Sequence, residues 1–372
     1  MSDTARSIAA EPWQRLDPFF AAPLRRVIEA ARSVVARPAW DILIIARRSE
    51  GLDDAELAIR HAPPVRSMRL VRDMAELDAL DRRFDVCLLC NRVTDDELLL
   101  QHVRERNLAD FVAVWTWDNH HSRRRNLQIS ALGDLVLPGH LFCAGYLKSP
   151  QTVLGAHVPL GTNQWSRARA ASLFEQFHKA PRDDALHGGF IGWRIVPERA
   201  TLVRACMDAL DGHALRLLGS DARRGYFALD PADRWRDWSQ HKVGLVLPFD
   251  RDLSTRFFDA LLTGQVPILP DWCEDIDTVV PVPIQRALPV VRFSEPSVAS
   301  IEAAWREALK RYDADGMDGV TRRHRFALDN HHFGLRLPSI WAEIVALAAP
   351  GADIAIEASD GGVGPVLRRP PA

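Results

Sequence analysis

Four short segments of this 372-residue chain carry side chains that can hold an anion or move a proton. They are Asp118-Asn119-His120-His121 after FVAVWTW, Gly192-Trp193-Arg194 after GGFI, Gly219-Ser220-Asp221 after LRLLG, and Asp250 to Asp259 within FDRDLSTRFFDALLTGQVPILPD. The fourth is the most informative. Ser254 or Thr255 stands where a helix is capped, and Arg256 and Asp259, three residues apart, project from the first turn of that helix. A helix N-terminus presents backbone N–H groups to phosphate, Arg256 adds a forked cation, and Asp259 can accept hydrogen bonds from ribose hydroxyls. This is a nucleoside-diphosphate site in outline. The same spacing suits a merely capped helix with an internal Arg–Asp pair.

The first segment, WDNHH, offers a different chemistry. Asp118 or His120, with His121 in reserve, is suited to take a proton from a hydroxyl, because imidazole titrates near neutrality and a carboxylate accepts the proton directly. The cluster is equally suited to binding an acceptor or to shaping a loop. A metal site is the third reading, although adjacent histidines point in different directions. Arg123 to Leu127 beside it reads as a solvated helix face, or as a contact for an anionic acceptor. His324 and the Asn330-His331-His332 run read as a polar connector.

Alternating apolar runs and helical stretches must position these groups. Strands are expected at 40–46, at VRSMRLV, and at 84–90, 111–117, 132–139 and 152–161. The pattern resumes at 188–193, 215–220, 241–249, 266–271 and 289–293. Uninterrupted apolar strands separated by helices indicate parallel sheets covered on both faces. Ligands of such sheets lie outside the carboxyl ends of the strands, where all four segments fall. The expected organisation is an N-terminal domain over 1–165 with an amphipathic helix at 12–37, a connector at 166–187, and a second domain over 188–331. A returning apolar helix over 332–356 and a disordered Gly/Pro-rich tail over 357–372 complete it.

Composition narrows the function classes. Lys plus Arg is 47 against 49 Asp plus Glu, a net charge of −2, which lacks the basic surplus of a nucleic-acid binder. No GxGxxG or GxxxxGK[ST] follows any of the strands, which argues against the usual NAD enzymes and P-loop NTPases. No apolar run reaches membrane-spanning length and no secretion signal opens the chain, so a cytoplasmic protein is expected, with peripheral membrane association left open. The 5 cysteines are scattered. Cys87 and Cys90 form a CxxC inside FDVCLLCN, which reads as two small core residues in a buried strand and not as zinc ligands. Of the 11 Trp, Trp115, Trp117, Trp193 and Trp272 fall near expected strand ends, where an indole can stack on a sugar or base. Trp305 and Trp341 lie on helices and read as core.

STRFFDALLTGQVPILPD resembles the donor-site segment of GT-B glycosyltransferases, in particular the exostosin-like and the spore-maturation-type, CgeB-like groups. Ser254, Arg256, Phe258, Asp259, Ala260, Leu261, Gly264, Pro267 and Ile268 match the pattern. GGFIGWR, LRLLGS and WSQHKVGLVLPF are similar to the strands and loop before that motif. WTWDNHH, LGDLVLPG and AHVPLGTNQW are similar in order to segments of the CgeB-like N-terminal half. The resemblance implies an α/β fold of two Rossmann-like domains facing a cleft, with the C-terminal helix crossing back to the first. It implies transfer of a sugar, hexosyltransferase-like, from a UDP- or GDP-linked donor to a hydroxyl of a glycan or other acceptor, without a metal or further cofactor, as in polysaccharide biosynthesis. Asp259 would hold the ribose. Ser254, Thr255 and Arg256 would flank the diphosphate, with Gly192, Arg194, Gly219 and Gly264 completing the donor site. One departure is plain: the earlier Glu of many retaining members falls here at Arg251 beside Asp252, so the stereochemical outcome stays open. A sugar-nucleotide epimerase or phosphorylase, or a non-catalytic scaffold of the same build, are the alternatives.

Overall fold

Strands that are apolar on both faces can be stable only if helices cover both faces, and the chain builds two such sandwiches. The computed structural model describes residues 11–46, 50–52, 65–91, 96–120, 122–192, 197–210, 213–218, 225–226, 228–359 and 361–368. In chain order the elements are α1 (Pro18–Val35), β1 (Trp40–Ile45), β2 (Val65–Val71), α2 (Met74–Asp78), β3 (Phe84–Asn91), α3 (Asp96–Glu105), β4 (Ala109–Thr116), α4 (Arg123–Ala131), β5 (Leu135–Pro138) and β6 (Val153–Leu154). There follow α5 (Arg167–Phe177), β7 (Asp183–Gly192), α6 (Pro197–Ala209), β8 (His213–Leu218), α7 (Pro231–Ser239), β9 (His241–Leu245), α8 (Thr255–Leu262) and β10 (Val266–Pro270). The last are α9 (Ile276–Val279), α10 (Val282–Ala287), β11 (Val291–Phe293), α11 (Val298–Asn330), α12 (Arg336–Ala348), β12 (Ile354–Ser359) and β13 (Gly362–Leu367).

The first unit holds residues up to 159 and those from 336 onward, around a sheet of order β12-β13-β6-β5-β4-β3-β1-β2. Every pairing in it is parallel except β12 with β13. The amino ends of β1, β3 and β4 carry Asp41, Asp85 and Asp110, which pair with Arg37 and Arg66. That ion network tidies the sheet end opposite to the one where ligands bind. The returning helix α12 packs here, with buried Trp341 meeting Trp40 edge-on at 6.4 Å. Glu343 on the same helix accepts the Ala156 N–H at 3.1 Å.

The tail is a correction. Residues 357–372 were expected to be disordered from their Gly and Pro content, yet β12 and β13 form an antiparallel hairpin whose second strand pairs with β6. Its glycines serve close packing: a Cβ at Gly362 would sit 2.6 Å from the Gly145 carbonyl oxygen, and one at Gly364 would overlap the backbone of Ser149. Cys87 and Cys90 lie fully buried in β3, and burial pushes the Cys87 thiol up to about 12 and the Cys90 thiol upward as well. They are core residues, as expected.

The second unit holds 160–335 with the short turn Glu50–Leu52, around a wholly parallel sheet of order β11-β10-β9-β7-β8. The expected connector 166–187 belongs inside this unit: α5 covers the sheet and β7 begins at Asp183. Polarity there marks an exposed helix face, not a linker. Strand order reverses between β7 and β9, the place where an open parallel sheet leaves a crevice at its carboxyl edge. The segment 246–254 and helix α8 follow β9 at that point. No described helix is long and apolar enough to cross a membrane.

Helix α8 is tied down at its C-terminus. Arg182 donates to the Thr263 carbonyl at 2.8 Å and Arg323, fully buried, donates to Gly264 at 3.0 Å. His324 Nδ1 lies 2.6 Å from the Leu262 carbonyl oxygen, which can only accept, so Nδ1 carries the proton. His324 also stacks on Phe174 at 3.7 Å, and its burial lowers its pKa from 6.5 to about 4 despite that carbonyl. The folded state therefore keeps His324 neutral while the unfolded chain takes up the proton first. Its contribution is complete above pH 6.5 and is lost as pH falls toward 4, by at most about 3 kcal/mol. His324→Asn keeps a donor but does not titrate. Its stability, measured by urea unfolding between pH 7 and 4.5, should fall less with acid than that of the wild type; equal slopes would contradict the assignment.

Candidate functional site

The segment between β9 and α8 is built by one buried acid. Asp252 Oδ1 accepts the N–H groups of Phe249 at 2.6 Å and Asp250 at 3.0 Å, which folds the loop back so that the cap of α8 follows two residues later. Ser254 is the cap, accepting the Arg256 N–H at 3.4 Å, and Thr255 is the first helical residue. Arg251, where the resemblance puts the departure, is exposed and pairs with Glu274.

Two guanidinium groups converge on this helix start. Arg256 is half-buried, and its pKa is lowered to about 10, first by loss of solvent and then by the neighbouring Arg199 cation. Arg199, on the first turn of α6, is lowered by burial too, with Asp252 acting in the opposite direction. Its Nη1 donates to the Leu247 carbonyl at 3.4 Å, and its guanidinium lies 5.8 Å from the Phe249 ring centre. Sequence reasoning missed Arg199. Only its place at the start of the helix after β7, beside the switch point, could have singled it out.

Asp259 is placed differently from the expectation. It is 1% exposed, and both of its oxygens accept from the 162–164 segment: Oδ1 from Thr162 Oγ1 and Oδ2 from Gln164 Nε2, each at 2.7 Å. Gln164 is held in turn. Tyr226 donates its hydroxyl to Gln164 Oε1 at 3.2 Å and accepts the Trp238 Nε1–H at 2.7 Å, and burial pushes the Tyr226 phenol upward. Thr162 is locked by its backbone, with its N–H donating to His331 and its carbonyl accepting from Phe333. His331 and His332 are thus buried parts of the fold and not a polar connector. His331 stacks on Phe258 at 4.7 Å, and His332 Nε2 lies 3.0 Å from the Trp165 carbonyl.

Gly264 moves to a structural role. It ends α8 at φ 86° with its N–H on the Leu261 carbonyl, at the far end of the helix from Arg256. Eight residues at about 1.5 Å each put roughly 12 Å between the two ends, too far for both to touch one diphosphate. Gly192 ends β7, paired with Leu218 on β8. Arg194 and Gly219 lie outside the described residues, as do His121 and Trp193.

In the first unit the WDNHH segment forms the turn after β4. Asn119, fully buried, donates to the His140 carbonyl at 2.8 Å and accepts the His140 N–H at 2.9 Å, so its amide is a clamp between two loops. Tyr146 donates to the Asn119 carbonyl and Asn126 donates to the Asp118 carbonyl. His120 meets the His140 ring edge-on at 4.5 Å. Asp118 and His120 remain half-buried. Trp115 and Trp117 are corrections: both are buried, packed edge-on at 5.3 Å, and Trp115 donates to the Val158 carbonyl. Trp272 is half-buried against Phe293. Trp115 lies on β4, where neither face of the covered parallel sheet is open to a sugar, and Trp117 follows the strand and packs against it.

No family model and no curated protein matches the chain. Among solved structures, a sucrose-phosphate synthase from Thermosynechococcus elongatus is similar at 13% identity and TM-score 0.49, over 82% of this chain and 99% of that one. A putative UDP-N-acetylglucosamine 2-epimerase from Listeria monocytogenes gives 12% and 0.43, over 82% and 96%. The catalytic domain of starch synthase IV from Arabidopsis thaliana gives 9% and 0.45, over 72% and 73%. Scores below 0.5 at such identities leave the function to the chain's own residues.

If Gly264 ends the helix and touches no ligand, Gly264→Ala should be a stability variant. A Cβ there would lie 2.6 Å from Val320 Cγ1 and must adopt a positive φ, a cost of about 1–3 kcal/mol. Thermal unfolding should register the loss, while any ligand affinity of the folded variant stays within about twofold of the wild type. A variant as stable as the wild type would contradict the placement.

Proposed function

We propose that the chain is a GT-B-type glycosyltransferase that takes its sugar from a nucleoside-diphosphate donor. The observation that carries this reading is the pair of half-buried guanidiniums, Arg199 and Arg256, at the start of α8 and beside the strand-order reversal of a parallel sheet. The resemblance of STRFFDALLTGQVPILPD to a donor-site motif supports it. Transfer of a sugar leaves a nucleoside diphosphate with an additional negative charge on its terminal phosphate. Two fixed cations and a helix N-terminus stabilise that charge as it develops, so the leaving group departs without a metal. In this reading Ser254 and Thr255 flank the phosphates and Asp259 is the ribose partner. The hydroxyl acceptor, a glycan or similar, gives its proton to Asp118 or His120 of the first unit. A UDP- or GDP-linked hexose is the proposed donor.

Calorimetric titration with UDP and with GDP tests the site directly. One of the two should bind with a dissociation constant of millimolar or better, and Arg256→Ala or Arg199→Ala should weaken it by about tenfold to a hundredfold. Arg251→Ala, a change of equal charge on an exposed side chain paired with Glu274, should leave it unchanged. Equal losses in all three variants would reduce the site to general surface charge, and no binding of either nucleotide would end the reading. Incubation with a panel of nucleotide sugars then identifies the transferred sugar.

A further inference from the structure

Asp259 is the residue most suited by position and chemistry to hold a ribose, yet it is closed: 1% exposed, with each oxygen accepting from a neighbouring side chain. The two donors are not equivalent. Thr162 is fixed by its own backbone, bonded on one side to His331 and on the other to Phe333, and a Cβ on the preceding Gly161 would overlap the His331 carbonyl. Gln164 is half-buried, and its carboxamide reaches Asp259 through a flexible stem. Its other end rests on the Tyr226 hydroxyl at 3.2 Å, a longer bond than the 2.7 Å it makes to Asp259.

We propose that Gln164 is a placeholder for the ribose. Its Nε2–H occupies the Asp259 oxygen to which a ribose hydroxyl donates when the nucleotide binds, and it leaves as the ribose arrives. Thr162 stays and keeps the carboxylate oriented. The chemistry of the exchange is matched: an amide N–H and a hydroxyl each give one hydrogen bond to a carboxylate oxygen, so Asp259 is never left buried without donors in either state. The amide released from Asp259 keeps Tyr226 as a partner. The acid is thereby held in place by two donors, and a ligand with phosphates but no ribose has nothing to displace Gln164 with. Gln164 thus sets a requirement for a nucleoside rather than for a bare diphosphate. This rests on the reading of the α8 start as a nucleoside-diphosphate site.

The test uses the full chain and two probes, the tighter-binding of UDP and GDP, and inorganic pyrophosphate. Gln164→Ala removes the competitor, so it should bind the nucleoside diphosphate about threefold to tenfold more tightly than the wild type while pyrophosphate affinity stays the same. If Gln164 is instead a fixed part of the fold that only orients Asp259, the variant should bind the nucleotide more weakly, and that result overturns the proposal. A gain shared by pyrophosphate overturns it too, because the effect would then not pass through the ribose. Failure of the wild type to bind either probe would remove the diphosphate reading itself, and the placeholder with it. Should Gln164→Ala not fold, Gln164→Met keeps the length of the stem, lacks the N–H donor and should give a gain of the same sign, again for the nucleotide alone; an unchanged or weaker affinity there counts against the proposal.

Discussion

Everything at the candidate site depends on where helix α8 points, and that is fixed from its far end. Three side chains, one from the segment just before β7 and two from α11, close its terminal carbonyls: Arg182 on Thr263, Arg323 on Gly264 and His324 on Leu262. Carbonyls at a helix C-terminus lack partners within the helix and carry the negative end of its dipole, so two cations and an N–H there both satisfy and stabilise it. Because Gly264 turns the chain at φ 86° straight into Gln265 and β10, the helix has no slack at that end. An eight-residue helix without such anchoring would be marginal, since short helices owe their stability to packing and not to propensity. Its apolar face supplies the rest: every residue from Phe257 to Leu262 is buried.

The sequence displayed the sheets well for a definite reason. Strands covered on both faces are apolar throughout, so WDILII, FDVCLLCN and VPILP announce themselves without any periodicity, and all are strands. The start of α8 was legible too, because Ser254, Arg256 and Asp259 are close in sequence and local capping rules apply. What could not be read were arrangements made by the fold. Arg199 reaches the site only because β7 and β9 are neighbours, and Thr162 and Gln164 reach Asp259 only because their segment bridges to His332. Two misplacements have a shared origin in reading composition or position as orientation. Trp115 and Trp117 stand near a strand end but point into packed layers, and the Gly-rich tail is a strand pair whose glycines admit the backbone of the 145–149 loop.

Charge is spent differently at the two edges of these sheets. At the amino edge of the first unit, Asp41, Asp85 and Asp110 are matched by Arg37 and Arg66, so the ions there neutralise one another. At the start of α8 two cations share one neighbourhood: Arg199 lowers the pKa of Arg256, while Asp252, which also holds two backbone N–H groups, acts in the opposite direction on both. The near-neutral total of −2 conceals this contrast, because it sums over both edges.

The closeness of the two guanidiniums carries a cost for the fold. A cation beside a helix N-terminus is on the wrong end of the dipole, at a cost of about 0.3–1 kcal/mol, and two guanidiniums losing solvent together cost more. Replacing either by a neutral side chain would relieve that repulsion, at the loss of the Arg199 contacts with Leu247 and Phe249 or of the Arg256 bond to Ser254. A chain otherwise consistent from capping to packing departs from local rules where something outside the fold supplies the compensation. A dianion seated between Arg199 and Arg256 would offset these terms together: it faces the positive end of the dipole and screens the two cations from one another. On the proposed function, that offset is binding energy available to the departing diphosphate.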